Sequence, residues 1–114
     1  MPHPKRLRFR SDEKCLTVEY DDASSHDIPY ELLRVESPSA EVQGHAGQKP
    51  PPVMGKADIG VNRAEPVGRY AVRIIFDDGH DSGLFTWPLL QDFGARKDEL
   101  YAAYQARVAE FQGK

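Results

Sequence analysis

One cysteine among 114 residues, Cys15, excludes an internal disulfide and an all-cysteine metal site. Long apolar runs are missing too. None approaches the ~20 residues that a membrane-spanning helix needs, and the opening residues lack an apolar signal-peptide core. The resulting expectation is a cytoplasmic chain with no membrane association. A phosphate-binding glycine loop is absent, because Gly44-His45-Ala46-Gly47-Gln48-Lys49 lacks the Walker spacing. Ser37, Ser39 and Cys15 have no base partner at a motif spacing, so no activated nucleophile can be read. Cys15 falls within an expected strand, where a buried and inert thiol is the simpler reading. A dominant charge is missing as well, the net charge being a mild −3.

What is present fits a single α+β domain spanning residues 1–114. Hydrophobic residues at 39% and charged residues at 29% allow one core under a well-solvated surface. Lys5, Arg6, Arg8 and Arg10 form a basic start. Such a cluster suits either nucleic-acid contact or a strand edge protected by charge, and the acidic remainder of the chain favours the second. No nucleic-acid partner is expected. Leu7 and Phe9 alternate with arginines, and Leu16, Val18 and Tyr20 alternate with Thr17 and Glu19, which predicts two half-buried strands. Turns are expected around Ser11-Asp12-Glu13 and at Asp21-Asp22, with a short third strand over Ser25 to Ile28. Pro29 suits the first turn of a short helix to Val35 that buries Leu32 and Leu33.

From Glu36 to Lys56 the chain holds Pro38, prolines at 50 to 52, and Gly44, Gly47 and Gly55, with no core periodicity. A long mobile loop is expected there. Strand-like alternation resumes at Ile59 and Val61. Two β-rich runs then meet at Asp78-Gly79, predicting an antiparallel hairpin that pairs Tyr70–Phe76 with Asp81–Phe85 through a type I′ turn. Trp87-Pro88 opens a helix expected to end at Gly94 in a left-handed cap. Trp87 suits the core at a strand-to-helix junction or an interface anchor. Asp98 to Gln112 is the clearest helix, with Leu100, Tyr104, Val108 and Phe111 on one face. The expected fold is a mainly antiparallel sheet, with the central hairpin at Asp78-Gly79 and the helices packed on one face.

Several stretches are specific enough to carry a resemblance: Leu32-Leu33-Arg34, Ser37-Pro38-Ser39, Gly44-His45, Glu65-Pro66-Val67-Gly68-Arg69-Tyr70-Ala71-Val72, Phe76-Asp77-Asp78-Gly79-His80 and Trp87-Pro88-Leu89-Leu90. Together, from about Leu7 to Leu90, the chain resembles free-standing bacterial members of the gamma-butyrobetaine hydroxylase N-terminal-like family. The resemblance implies that longer relatives carry this domain ahead of an iron and 2-oxoglutarate dioxygenase domain. It also implies that others are fused to iron–sulfur carrier ATPases of the Mrp/ApbC type. In the hydroxylase the domain holds a structural zinc through a Cys-Pro-Cys-x-x-Cys segment and a distant histidine. The resemblance sets Ser37, Ser39 and Val42 at the cysteine places and His80 at the histidine.

Neutral serine is a poor zinc ligand and valine is none, so the inherited site is expected to be lost. An alternative metal set is Glu36, Glu41, His45 and His80, whose carboxylates and imidazoles suit zinc or iron. These four are equally at home as solvated loop residues. Asp77, Asp78 and Asp81 make a further acidic cluster that turn chemistry explains more simply. Oxygenase chemistry needs two histidines and a carboxylate. No His-x-Asp spacing supplies it: His3 precedes Lys5, His26 precedes Ile28, His45 precedes Gly47 and His80 precedes Ser82.

The expected function is therefore a non-catalytic binding or accessory module with no cofactor, an adaptor beside metalloenzymes or iron–sulfur delivery proteins. The alternative is a divalent metal-binding protein that uses Glu, Asp and His. A protein partner is expected, the chain itself being a monomer or weak dimer. Arg34 and Arg69 suit either an acidic partner or internal ion pairs.

Overall fold

Alternation in the first thirty residues builds a three-stranded antiparallel sheet. In the computed structural model, which describes residues 3–39 and 51–113, β1 (Arg6–Arg10), β2 (Cys15–Glu19) and β3 (Ser25–Pro29) lie in that order. Leu7 pairs with Val18, Phe9 with Leu16, and Leu16 with Ile28. Because side chains alternate across a strand, this register puts those apolar groups on one face and Arg6, Arg8 and Arg10 on the other. β1 is an edge strand, and its arginines are matched by acids. Glu19 takes Arg6 at 2.9 Å and Arg8 at 3.3 Å, and Glu13 takes Arg10 at 2.6 Å. Charged side chains of this kind discourage a second chain from pairing with the edge.

β3 runs directly into α1 (Tyr30–Val35), which buries Tyr30, Leu32, Leu33 and Val35. Pro29 is extended, with φ −59° and ψ 141°, so it caps the helix rather than filling its first turn. The second half opens with β4 (Val61–Val67), β5 (Ala71–Phe76) and β6 (Leu84–Thr86), again antiparallel and in chain order. Pro66 is tolerated because β4 is an edge. The expectation of one main sheet is thus refined to two three-stranded sheets, each closed locally by its own hairpins. Their inner faces share one core: Leu16, Val18 and Ile28 from the first sheet, Val72, Ile74, Phe76 and Phe85 from the second. The class is α+β, as expected.

Two helices follow, α2 (Trp87–Ala95) and α3 (Lys97–Gln112). Thr86 caps α2, its hydroxyl accepting from the Leu89 N–H at 3.3 Å, with Pro88 in the first turn. Trp87 packs partly against the core, and its indole N–H donates to the Arg69 carbonyl at 2.6 Å. Gly94 is not the left-handed cap expected of it. It lies inside α2, which ends at Ala95. The glycine is needed for space, since a Cβ there would come within 2.3 Å of the His26 ring.

α3 packs against α1 and α2. Tyr104 is buried and donates its hydroxyl to the Val53 carbonyl at 2.5 Å, while Leu100, Tyr101 and Val108 are half-buried. Phe111 was expected on the sheet but is 43% exposed. None of the described helices is long and apolar enough to cross a membrane.

Candidate functional site

The site is built from the turn after β5. The Phe76 carbonyl accepts from the Gly79 N–H at 3.1 Å, and the Phe76 N–H donates to the His80 carbonyl at 3.0 Å. Gly79 has φ +90°, whereas Asp78 is not among the residues with positive φ. The loop is therefore a type I turn followed by a left-handed glycine, not the type I′ turn expected, which needs positive φ twice. Asp78 completes it by accepting the His80 N–H on Oδ1 at 3.0 Å. The hairpin is antiparallel as expected, but its return strand starts at Leu84 instead of Asp81. Residues between lie outside the paired register, although the His80 carbonyl still accepts the Phe76 N–H.

That ring meets two hydroxyls. His80 Nε2 is 3.0 Å from Ser37 Oγ and 3.3 Å from Ser39 Oγ. All three side chains are buried, at 5%, 0% and 6% exposure respectively. Gly83 makes room for the approach, since a Cβ on it would lie 2.3 Å from Ser37 Oγ and 3.4 Å from Pro38 Cδ. The Phe76 ring flanks the imidazole at 6.0 Å.

On the outer side of the turn, Asp78 Oδ2 joins two cations, Arg34 at 2.8 Å and Lys56 at 2.7 Å. Partial burial opposes ionisation of this carboxyl. The Lys56 ammonium, the His80 N–H and the Arg34 guanidinium outweigh that penalty and hold it well below the usual carboxylate range. Arg34 is thus committed to an internal ion pair, one of the two roles the sequence left open for it.

The other candidate residues go elsewhere. Glu36 accepts from Arg107 on α3. Glu41, His45 and Val42 lie outside the described residues, as does the middle of the segment expected to be a mobile loop. The described flanks of that segment are anchored: Ser37 and Ser39 at His80, Val53 at Tyr104, Lys56 at Asp78. The acidic cluster around His80 does not converge. Asp77 donates its N–H to Gly60, Asp78 holds Arg34 and Lys56, and Asp81 faces Arg73 at 3.4 Å. Among the described residues, no three His, Cys, Asp or Glu side chains gather as a metal site would require.

Cys15 is half-buried. Burial, then the Asp27 and Glu13 carboxylates, push its thiol pKa up against the opposing pull of Arg10 and Thr17. A thiol held protonated is a weak nucleophile. An open groove of about 320 Å³ runs between α1 and α3, lined by Glu31, Met54, Tyr104, Gln105, Val108 and Gln112. Its one carboxylate, Glu31, accepts from the Tyr101 hydroxyl at 3.1 Å. Sequence reasoning missed Lys56 and Gly83. Lys56 ends an unpatterned stretch and carries no local signal, and the need for Gly83 arises only from Ser37, far away in the chain.

Comparison with known proteins adds a family and three solved structures of similar fold. The sequence model described as gamma-butyrobetaine hydroxylase-like, N-terminal, matches residues 7–91. A protein solved by NMR in solution is 38% identical, with 98% of this chain and 83% of that one covered and a TM-score of 0.83. A second NMR structure is 47% identical, covering 96% and 86%, with a TM-score of 0.78. A crystal structure of a protein of unknown function from Acidithiobacillus ferrooxidans, of the DUF971 family, is 34% identical. It covers 82% of this chain and 93% of its own, with a TM-score of 0.68. No curated protein matches the chain.

Proposed function

Since the chain belongs to the gamma-butyrobetaine hydroxylase-like N-terminal family, we propose that it is a non-catalytic, cytoplasmic accessory module. It binds a protein partner, an adaptor's role beside metalloenzymes or iron–sulfur delivery proteins. One observation supports the reading: among the described residues, the candidate polar groups are engaged with the fold itself. Ser37, Ser39 and His80 are buried together, Asp78 is held by two cations, and the Cys15 thiol is kept protonated. A reacting centre needs groups presented to a substrate in a cleft. The association with metalloproteins rests on the fusions that the family resemblance implies, which is an argument from architecture.

Tagged protein captured from its source cells, with mass spectrometry of what it retains, tests the proposal. Reproducible recovery of a dioxygenase or an iron–sulfur carrier is the expected result. Stoichiometric zinc or iron in the purified protein, with no protein retained, would replace it with the metal-binding alternative.

A further inference from the structure

The three described residues that stand at zinc-ligand places by resemblance do come together, but their chemistry has changed. Zinc sites are made from thiolate, imidazole and carboxylate donors. Here one imidazole faces two neutral hydroxyls, at 3.0 and 3.3 Å from Nε2, which are hydrogen-bond separations. These three described donors do not make a zinc set. They do fit a pair of hydroxyls sharing one ring nitrogen in a buried site, where an unpaired polar group is costly.

We infer that Ser37, His80 and Ser39 form a metal-free clamp, a hydrogen-bonded node that ties the segment after α1 to the β5–β6 connection. The node joins positions 43 and 41 residues apart, so it closes a long stretch of chain. Two further features show it is built into the fold. Gly83 leaves the space that Ser37 occupies, since a Cβ there would overlap its hydroxyl at 2.3 Å. The same turn is also fixed on its outer side, Asp78 holding the His80 N–H at 3.0 Å and Arg34 of α1 at 2.8 Å. The imidazole thus has its backbone set by one contact and its ring by another. The inference shares these buried groups with the accessory reading, but the melting of the serine variants bears on the clamp alone, and capture of a partner on the accessory role alone.

The test combines metal analysis with thermal melting. Protein incubated with one equivalent of Zn²⁺ and dialysed should retain less than about a tenth of an equivalent, because thiolate ligands are lacking. Its melting temperature should not move when 1,10-phenanthroline is added. Ser37→Ala and Ser39→Ala should each lower the melting temperature by about 4 to 8 °C, the loss of one buried hydrogen bond in a small domain. His80→Ala should lower it further. If His80→Ala does not fold, the serine variants still decide, since each removes one hydroxyl and leaves the ring in place. Stoichiometric zinc that resists dialysis, with a melting temperature that falls on chelation, would overturn the inference. So would serine variants that melt like the unmodified protein.

Discussion

Tyr20-Asp21-Asp22-Ala23-Ser24 and Phe76-Asp77-Asp78-Gly79-His80 close two hairpins with the same frame. In each, the first carbonyl accepts from the fourth N–H at 3.1 Å, and the first N–H donates to the fifth carbonyl at 3.0 Å. In each, the second aspartate accepts the fifth N–H at 3.0 Å, and the fourth residue has positive φ, +71° at Ala23 and +90° at Gly79. The surroundings differ. Asp22 is exposed and also takes the Ser24 hydroxyl, at 2.5 Å. Asp78 holds Arg34 and Lys56, and the residue after its glycine enters the core as His80. Local chemistry thus sets the turn. Partners distant in sequence decide whether the turn merely reverses the chain or anchors it.

Removing the second aspartate from each turn gives the largest contrast. Asp78→Ala strands two partly buried cations and a backbone N–H, and should cost about 3 kcal/mol. Asp22→Ala removes a solvated cap and should cost far less. Denaturant unfolding of both variants at neutral pH measures the difference. Equal losses would mean that Arg34 and Lys56 add nothing to what the turn itself supplies.

The anchored turn can also be attacked from the side of its neighbour. Gly83→Ala would place a methyl group 2.3 Å from Ser37 Oγ. The overlap should cost about 2 kcal/mol, a usual figure for overpacking a filled site. The exposed turn has no counterpart to this position. A neutral Gly83→Ala, by the same unfolding measurement, would show that the serine has room to move.

Acid should separate the turns next. The Asp78 carboxyl titrates below its ordinary, unfolded range, so the stability it contributes is fully present above about pH 4 and lost as pH falls further. Asp78→Asn should therefore flatten the decline in unfolding midpoint as pH falls below about 4. Asp22 is shifted in the same direction by the Ser24 hydroxyl and N–H, but in open solvent. Asp22→Asn should leave most of the slope in place. Were Asp22→Asn to flatten the curve as much as Asp78→Asn, burial and ion pairing would not be what distinguishes the two aspartates.

These contrasts follow the line between what was legible in the sequence and what was not. Asp21-Asp22 and Asp78-Gly79 announce turns because short acidic side chains and glycine act on their own backbone. The turn at Asp78-Gly79 is not the type I′ expected, because the Asp78 carboxylate caps the His80 N–H in the same one-positive-φ frame that Asp22 and Ala23 adopt. Pro88 marks the start of α2 by the same local logic. Gly94 misleads because its reason is steric and lies at His26, on β3. The Ser37–His80–Ser39 node was visible only through family resemblance, because two serines and a histidine have no spacing of their own. Lys56 and Gly83 were invisible for the same reason. The division into two sheets also escaped, since alternation reports which face is buried and not which strands pair.

The smallest effect is the sharpest test of the shared frame, because it depends on sign. A residue with a Cβ in the left-handed region costs about 1 to 2 kcal/mol, and Ala23 carries that strain. Ala23→Gly relieves it, while the added freedom of the unfolded chain takes back about 0.4 to 1 kcal/mol. The net expected is a gain of about 0.5 kcal/mol. Gly79→Ala runs the exchange backwards. A Cβ there meets nothing within 4 Å, so only the backbone conformation opposes it, and a loss of similar size is expected. Paired unfolding curves should shift in opposite directions from the unmodified protein. If both variants shift the same way, the two turns do not share a frame. A much larger loss at Gly79 than the gain at Ala23 would instead show that the anchored turn transmits its strain to His80, which the exposed turn has no means to do.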